Sequence, residues 1–484
     1  MGTLGKWQII SFISRSSAMA VGLLQTFVIL RILNVPEWGI VQLAVSLGES
    51  LGIYQHLGLA SASNREISTA KKGTDVIKIF ITTVLIRYCI TIPLGIGLYM
   101  LAPKIASVYG FQEILLPLKI YAGVIIVQGM QAMLNSMIAG TKRFKELFTF
   151  QIVIAAISVP IYILFVYYFK VVGFFYALII HESLKSLSLF FIALRPYFKK
   201  ITFPTRNEFK IIFKELFSLG MSIYIVKILL KYWEKSGPNL IGLLGDANML
   251  GLYTFAMLYG KKLIHVSDSI TDVNLPVFSE KYVHDRKNFN QAFMRNFNKI
   301  FSFIVFIAFS ATFWAPELIS ILVGGDKYAG AYHLLMPLVF AFVFFSLINI
   351  VKSSVIIPAK LKLEMIFGFI LLLVSTISIY FVGKSFFSPL DSMAYGMLFG
   401  GLLSFVFFVY IIKDRLNLAF FKYPHVLVFV QAVAISLSCT NGILPLKIGS
   451  YIVLSALYAW TAVLAKLVSM EDVRLVLSMV KRKK

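Results

Sequence analysis

The chain has 484 residues, of which 59% are hydrophobic, a mean hydropathy of +0.84 and a formal net charge of +24. An apolar share so far above the roughly 45–50% of soluble domains excludes an ordinary soluble enzyme. The basic residues sit in short stretches between apolar runs and not in one basic domain, which excludes a nucleic-acid-binding module and fits loops that orient a membrane chain.

Apolar runs of about 20 residues or more, each able to cross a hydrocarbon core about 30 Å thick, predict an all-α integral membrane protein with about 14 spans. The first six are Trp7–Leu33, Trp38–Ala60, Val76–Leu101, Ile114–Gly140, Phe148–Phe169 and Val171–Leu194. Lys6 precedes the first run, Arg15 interrupts it and no small-residue cleavage site follows, so it reads as a retained span. The next six are Leu216–Gly237, Met249–Leu275, Ile300–Val323, Ala331–Ala359, Leu363–Val382 and Leu390–Ile412. Pro424–Leu437, the shortest, and Leu444–Leu467 complete the set.

Alternate connections carry very different charge. One set holds Arg65, Lys71, Lys72, Lys142, Arg143, Lys145, Arg195, Lys199 and Lys200, and continues through Lys281 and Arg286 to the terminal KRKK. The other holds only Arg31, Lys104, Lys170, Lys327, Lys384 and Lys447. The positive-inside rule therefore predicts a multi-pass protein of the cytoplasmic membrane with both termini cytoplasmic. The longest connection, from Arg195 to Leu216, puts Phe209, Ile212, Phe213 and Leu216 on one helical face and Arg206, Lys210 and Lys214 on the other, as a helix lying on the membrane surface does. No connection is long enough for a catalytic domain. Cys89 and Cys439 both fall in apolar runs, and neither disulfide nor metal-ligand spacing is present, so no cofactor and no metal is expected.

The sequence repeats weakly. GIVQLA from Gly39 matches GLYTFA from Gly251, 212 residues on; APKIASVYG from Ala102 matches APELISILVGG from Ala315, and ILLPL from Ile114 matches HLLMPL from His333. The shared order predicts two parallel six-helix lobes related by an axis along the membrane normal. The expected division is 1–200 for the amino-terminal lobe, 201–412 for the carboxy-terminal lobe with its amphipathic connector, and 413–484 for two further helices and a basic tail.

The charged residues inside the spans fall in stripes. Lys261, His265, Asp268 and Asp272 share one face of the eighth span, with Lys262 beside them; Lys227, Lys231 and Glu234 do so in the seventh, and Gln42, Glu49 and His56 in the second. Charge at such depth is costly unless it faces a bundle interior or a wet cavity, so these stripes and Arg15 predict a central polar cavity. Pairing within each helix would also account for several of them, since neighbours three or four apart meet. Arg15, Lys227, Lys231, Lys261 and Lys262 nevertheless outnumber Glu49, Glu234, Asp268 and Asp272, before Arg87 and Lys119 are counted. Such an excess suits the oxygens of a phosphate or pyrophosphate, with Gln42, Gln55 and Asn64 available to a polar, sugar-like surface. His265 and His56 could carry protons for a coupled cycle.

LNVPEWGIVQLAVSLGESLGIYQHLGLASASNREIS from Leu33 and MLGLYTFAMLYGKKLIHVSDSITDVNLPVFSEKY from Met249 resemble the polysaccharide flippases of the MOP superfamily, the O-antigen and exopolysaccharide type. Glu37, Trp38, Gly39, Gly58, Leu59, Gly251, Leu252, Tyr253, Pro276 and Ser279 stand at that family's structural motif positions. The resemblance implies a two-lobed, fourteen-span exporter that moves a polyprenyl-pyrophosphate-linked glycan to the outer leaflet by alternating access. Membrane lipids and other polysaccharide-assembly proteins are its implied partners, and Arg15, Lys227 and Lys261 could supply a cationic cavity. A multidrug or cation antiporter of the same superfamily, which should concentrate acids and not lysines, is the nearest alternative. A glycan polymerase or ligase is a more distant one, since no connection is long enough for a catalytic domain and HExxH and GxxxxGK are missing.

Overall fold

The computed structural model describes residues 17, 20–70, 72–438 and 444–469, with backbone alone at scattered helix positions. Among these, all regular elements are helical: α1 (Ala20–Ile32), α2 (Val35–Gly52), α3 (Leu59–Thr69), α4 (Gly73–Tyr109), α5 (Leu115–Gln128), α6 (Gln131–Gly140), α7 (Phe144–Leu194) and α8 (Arg206–Leu244). Then follow α9 (Ala247–His284), α10 (Arg286–Phe313), α11 (Ala315–Ile319), α12 (Tyr332–Val351), α13 (Lys362–Gly383), α14 (Pro389–Leu416), α15 (Tyr423–Leu437) and α16 (Leu444–Leu464). Among the described residues, eight helices are long and apolar enough to cross a membrane, and three shorter apolar ones, Ala20–Ile32, Ala315–Gly324 and Tyr423–Leu437, accompany them. The chain is an all-α, multi-pass integral membrane protein. Two compact units divide it, residues 1–254 and 255–484.

In unit 1, local chemistry fixes the helix starts. Asn34 accepts from the Glu37 amide at 2.8 Å while Glu37 accepts from the Asn34 amide at 2.8 Å, a reciprocal cap ahead of α2. Thr205 and Glu208 cap α8 in the same way. The amphipathic stretch expected between lobes is thus continuous with the seventh span, because nothing after this cap interrupts the helix before Leu244.

In unit 1, four of the expected spans are broken or joined. The second ends early: α2 stops at Gly52, a single 3₁₀ turn follows, and left-handed Leu57 (φ 42°) and Gly58 (φ 67°) turn the chain into α3. The fourth divides into α5 and α6 at Gly129 and Met130. Before this break the Ile126 carbonyl accepts from the Gly129 amide at 3.2 Å and from Tyr88 Oη at 3.3 Å, and the Val127 carbonyl accepts from Ser186 Oγ at 2.9 Å, so hydroxyls of α4 and α7 serve the backbone at the break. The fifth and sixth spans run together as α7, with non-helical Lys170 (φ 50°, ψ −124°) between them. On α4, Ile92, Ile96, Tyr99 and Met100 are exposed on one side while Thr91, Gly95 and Leu98 are buried, as expected of a helix with hydrocarbon on one face.

Unit 2 is centred on α12, whose apolar window is 94% buried and which packs against α10 and α14. Gly396 and Gly400 of α14 bring that helix onto Thr376 of α13: a Cβ on Gly400 would lie 3.0 Å from the Thr376 amide nitrogen. Small residues four apart permit this close crossing in lipid. On α10, Phe289, Phe293, Phe297 and Phe301 follow a four-residue step and are all buried. Phe420 stacks edge-on to Phe293 and Phe297, and His425 to Phe301.

Candidate functional site

The polar residues of unit 1 converge where α2, α4 and α8 pack. Glu49 on α2 is gripped by two lysines of α8, Lys231 at 2.5 Å and Lys235 at 2.8 Å, and Glu234 lies 3.6 Å from Lys235. The four-residue step that aligns Lys231 and Lys235 aims both at one carboxylate. The lysines therefore pair across helices, not only within α8. One turn farther along each helix, Ser46 Oγ donates to Asn239 Oδ1 at 2.8 Å, and Asn239 Nδ2 donates to Ser50 Oγ at 3.3 Å. Toward the other end of the helices, the Tyr54 and Tyr232 hydroxyls meet at 2.5 Å, and Tyr224 Oη donates to the Tyr54 carbonyl at 3.1 Å.

The early end of α2 moves His56 off the stripe expected from Gln42 and Glu49. It stands beyond the helix, with its Nδ1 3.5 Å from Arg87 Nη2 of α4, in the electrostatic field of Arg87, Lys227 and Lys231. Arg87 is only 1% exposed, and its Nε and Nη1 have no hydrogen-bond partner among the described residues. A buried guanidinium with open donors is expensive in a membrane interior and must be matched by an anion or water. Lys227 is exposed on α8. Gln55 is 2% exposed and accepts from Thr91 Oγ1 at 3.2 Å, so it is packed away, whereas Asn64 is exposed. Gln42 is half-buried on α2.

The remaining expected residues lie elsewhere. Lys261 and Lys262 are half-buried neighbours on the part of α9 in unit 2. The side chains of His265, Asp268 and Asp272, on the same helix, and the whole of Arg15 lie outside the described residues. The structure thus brings together Glu49, Lys231 and Glu234, and separately His56 with the field of Lys227. Sequence reasoning missed Lys235 and gave Arg87 no place. Lys235 continues the 227, 231 step by one more turn, which would have found it; Arg87 has no periodic companion on α4.

A cavity of about 570 Å³ in the same unit opens beside the start of α2, with Glu37, Glu113 and Lys170 on its wall, and shares no residue with this cluster. Among the described residues no group of three or more His, Cys, Asp or Glu could hold a metal ion.

The chain resembles several solved structures. Lipid II flippase MurJ in an inward closed conformation superposes with a TM-score of 0.69 at 16% identity, covering 94% of this chain and 97% of that one. An inward-facing multidrug resistance MATE family transporter of the MOP superfamily gives 0.58 at 15%, covering 83% and 94%. A eukaryotic MATE transporter gives 0.58 at 15%, covering 91% and 100%. Identities so low establish a shared fold. No curated protein matches the chain in sequence. Residues 28–333, more than half of the chain, match the family model described as Polysaccharide biosynthesis protein, so this multi-pass membrane protein belongs to that family.

Proposed function

We propose that the protein is a flippase that moves a polyprenyl-pyrophosphate-linked oligosaccharide across the cytoplasmic membrane by alternating access. The observation that carries this reading is Arg87, buried within the membrane-spanning part of unit 1 with two guanidinium nitrogens unmatched. Its planar fork suits the paired oxygens of a pyrophosphate. Lys227, exposed and acting on the same His56, supplies a second cation. Glu49 holds Lys231 and Lys235 in place, so that the site is cationic without being a cloud of mutually repelling lysines.

The proposal extends to Gln42, His56 and Glu234 as its lining, and to Arg15, Lys261, Lys262, His265, Asp268 and Asp272 as further contributors from the first and eighth spans. The prenyl tail stays in hydrocarbon while the charged, hydrated head passes; lowering that barrier needs no covalent chemistry. Family membership, with a fold shared by a lipid II flippase, supports the reading. Fourteen spans with both termini cytoplasmic belong to the same proposal. An exporter of cationic drugs would need an accessible carboxylate, and Glu49 is already engaged by two lysines.

The test is leaflet exchange of a fluorescent polyprenyl-pyrophosphate oligosaccharide in proteoliposomes, for the native chain and for Arg87→Gln combined with Lys227→Ala. Exchange that the double variant lacks supports the assignment. Equal exchange in both would remove the cationic site, and export of a cationic dye with no glycan exchange would replace the function.

A further inference from the structure

The cavity beside the start of α2 is formed where three of the sparsely charged connections meet at one end of unit 1. Asn34 and Glu37 come from the turn between α1 and α2, Gln112 and Glu113 from the turn between α4 and α5, and Phe169 and Lys170 from the break in α7. Gln112 and Glu113 follow one helix long and apolar enough to span and open another; Lys170 stands midway along the 55-residue stretch Lys145–Lys199, more than twice the roughly 20 residues of one crossing. The cavity therefore lies at a membrane–water boundary. Tyr167, Tyr168 and Phe169, exposed in succession ahead of Lys170, are the aromatic side chains that such a boundary favours.

The charges on its wall are not matched with one another. Lys170 Nζ reaches the Ile32 carbonyl at 3.4 Å, and among the described residues it forms no ion pair with Glu37 or Glu113. Glu37 caps α2 through Oε2 and stands in that helix's first turn, where the positive end of the helix dipole offsets its charge. That leaves one carboxylate, Glu113, and one ammonium, Lys170, both exposed on the wall of a single cavity of about 570 Å³, a volume usual for a small-molecule site. A purely anionic ligand would be repelled by Glu113 and a purely cationic one by Lys170; a ligand carrying both signs satisfies the two at once. Lys170 is also held in a backbone conformation (φ 50°, ψ −124°) that glycine adopts more readily than lysine. Three residues on, Gly173 packs against the Phe165 carbonyl where a Cβ would collide, so the break is tight and fixes where the lysine stands. Strain kept at a charged residue on a cavity wall points to a binding role.

We propose that this cavity binds the head group of a zwitterionic phospholipid, with phosphatidylethanolamine as the best fit. The Lys170 ammonium takes the phosphate oxygens, and the Glu113 carboxylate accepts N–H from the lipid ammonium, a charge-assisted pair at each end of the head group. Leu116 and Phe169, apolar, exposed and on the same wall, border the glycerol and the first carbons of the acyl chains. By bridging Glu113 and Lys170, the lipid ties the turn after α4 to the break in α7. It is a resident of one leaflet and not cargo, since the cavity shares no residue with the cluster around Glu49 and Arg87. Such a lipid site is independent of the flippase reading.

The experiment uses the full chain in detergent micelles, with phosphatidylethanolamine or phosphatidylglycerol of the same acyl chains titrated in and the melting temperature read at each concentration. The native chain should be stabilised by phosphatidylethanolamine at a concentration about tenfold below that needed of phosphatidylglycerol, the factor one charge-assisted contact supplies. Glu113→Gln should erase that preference and leave the response to phosphatidylglycerol no weaker. Lys170→Gly should weaken the response to both lipids about tenfold, since both carry the phosphate, while its melting temperature without lipid does not fall, because glycine relieves the backbone. If that variant does not accumulate, Lys170→Gln answers the same question. Equal stabilisation by the two lipids, a preference for phosphatidylglycerol, or responses that either substitution leaves as in the native chain would overturn the site.

Discussion

Gly39 and Gly251 lie back to back. A Cβ built on Gly39 would fall 2.7 Å from the Gly251 amide nitrogen and closer still to the Ala247 carbonyl, and one on Gly251 would strike Val35. These are the two positions that open the matched segments GIVQLA and GLYTFA, so the segments that resemble each other in sequence also meet in space. Neither residue has φ in the left-handed region; glycine is needed there for approach, not for backbone freedom.

Gly39→Ala should therefore destabilise unit 1 by about 1–3 kcal/mol, the range for inserting a methyl into close packing, since backbone and not a flexible side chain stands in the way. Gly97→Ala is the control: a Cβ there meets nothing within 4 Å, and alanine in a helix interior should add up to about 1 kcal/mol. Thermal unfolding in detergent checks the pair. If Gly39→Ala melts like the native chain, Gly39 and Gly251 do not pack backbone against backbone.

Glu49 is shared by Lys231 and Lys235, of which Lys235 has only 10% of its side chain exposed. Glu49→Gln should cost about 2 kcal/mol, less than the roughly 3–5 kcal/mol of a fully buried pair, because Glu49 keeps about a third of its side chain open. Adding Lys235→Met removes the stranded charge and should recover much of that loss. A double-mutant cycle in unfolding free energy measures it; additive costs would mean that the pair is not coupled.

The helices were legible because apolar length and charged loops are one-dimensional signals. The breaks were not. Nothing in QHLGLA announces that α2 ends at Gly52, since Leu57 takes a left-handed turn that its side chain does not favour. Gly129 was hidden in an apolar run because the Tyr88 and Ser186 hydroxyls that serve the carbonyls before the break come from α4 and α7. At the site, Lys231 and Glu234 were readable as a helical face, but the partner of Lys231 is Glu49, a choice that only packing makes. Gln55 read as a sugar contact is instead held by Thr91, and that too is a tertiary fact.

The start of α8 is a pH-sensitive anchor. Lys78 Nζ of α4 reaches Glu208 Oε1 at 2.6 Å, and the Thr205 amide and hydroxyl donate to Oε2 at 2.8 and 3.0 Å; these bonds, with Lys78 the largest influence, push the Glu208 carboxyl down to about 2 from its usual 4.5. A depressed carboxyl stabilises the fold fully above its unfolded value, and that contribution fades as pH falls from about 4.5 to about 2. The native chain should lose unfolding temperature between pH 5 and pH 3 more steeply than Glu208→Gln. Parallel losses in the two would show that the bridge contributes nothing.

Arg87 separates a ligand-binding role from a structural one by the answer it gives to lysine. If its open nitrogens receive an anion, Arg87→Gln removes charge-assisted hydrogen bonds worth about 1.5–3 kcal/mol, or roughly 10- to 100-fold in affinity for a pyrophosphate head group. Arg87→Lys keeps the charge but loses the fork, and should fall between the two. If the guanidinium only holds α4 against His56, both variants should lose thermal stability alike, with binding by the folded fraction unchanged. Inorganic pyrophosphate, titrated against protein fluorescence and against the melting temperature, reads both quantities on one sample. A melting temperature that pyrophosphate raises in the native chain, raises less in Arg87→Lys and leaves unmoved in Arg87→Gln is the pattern expected of an anion site.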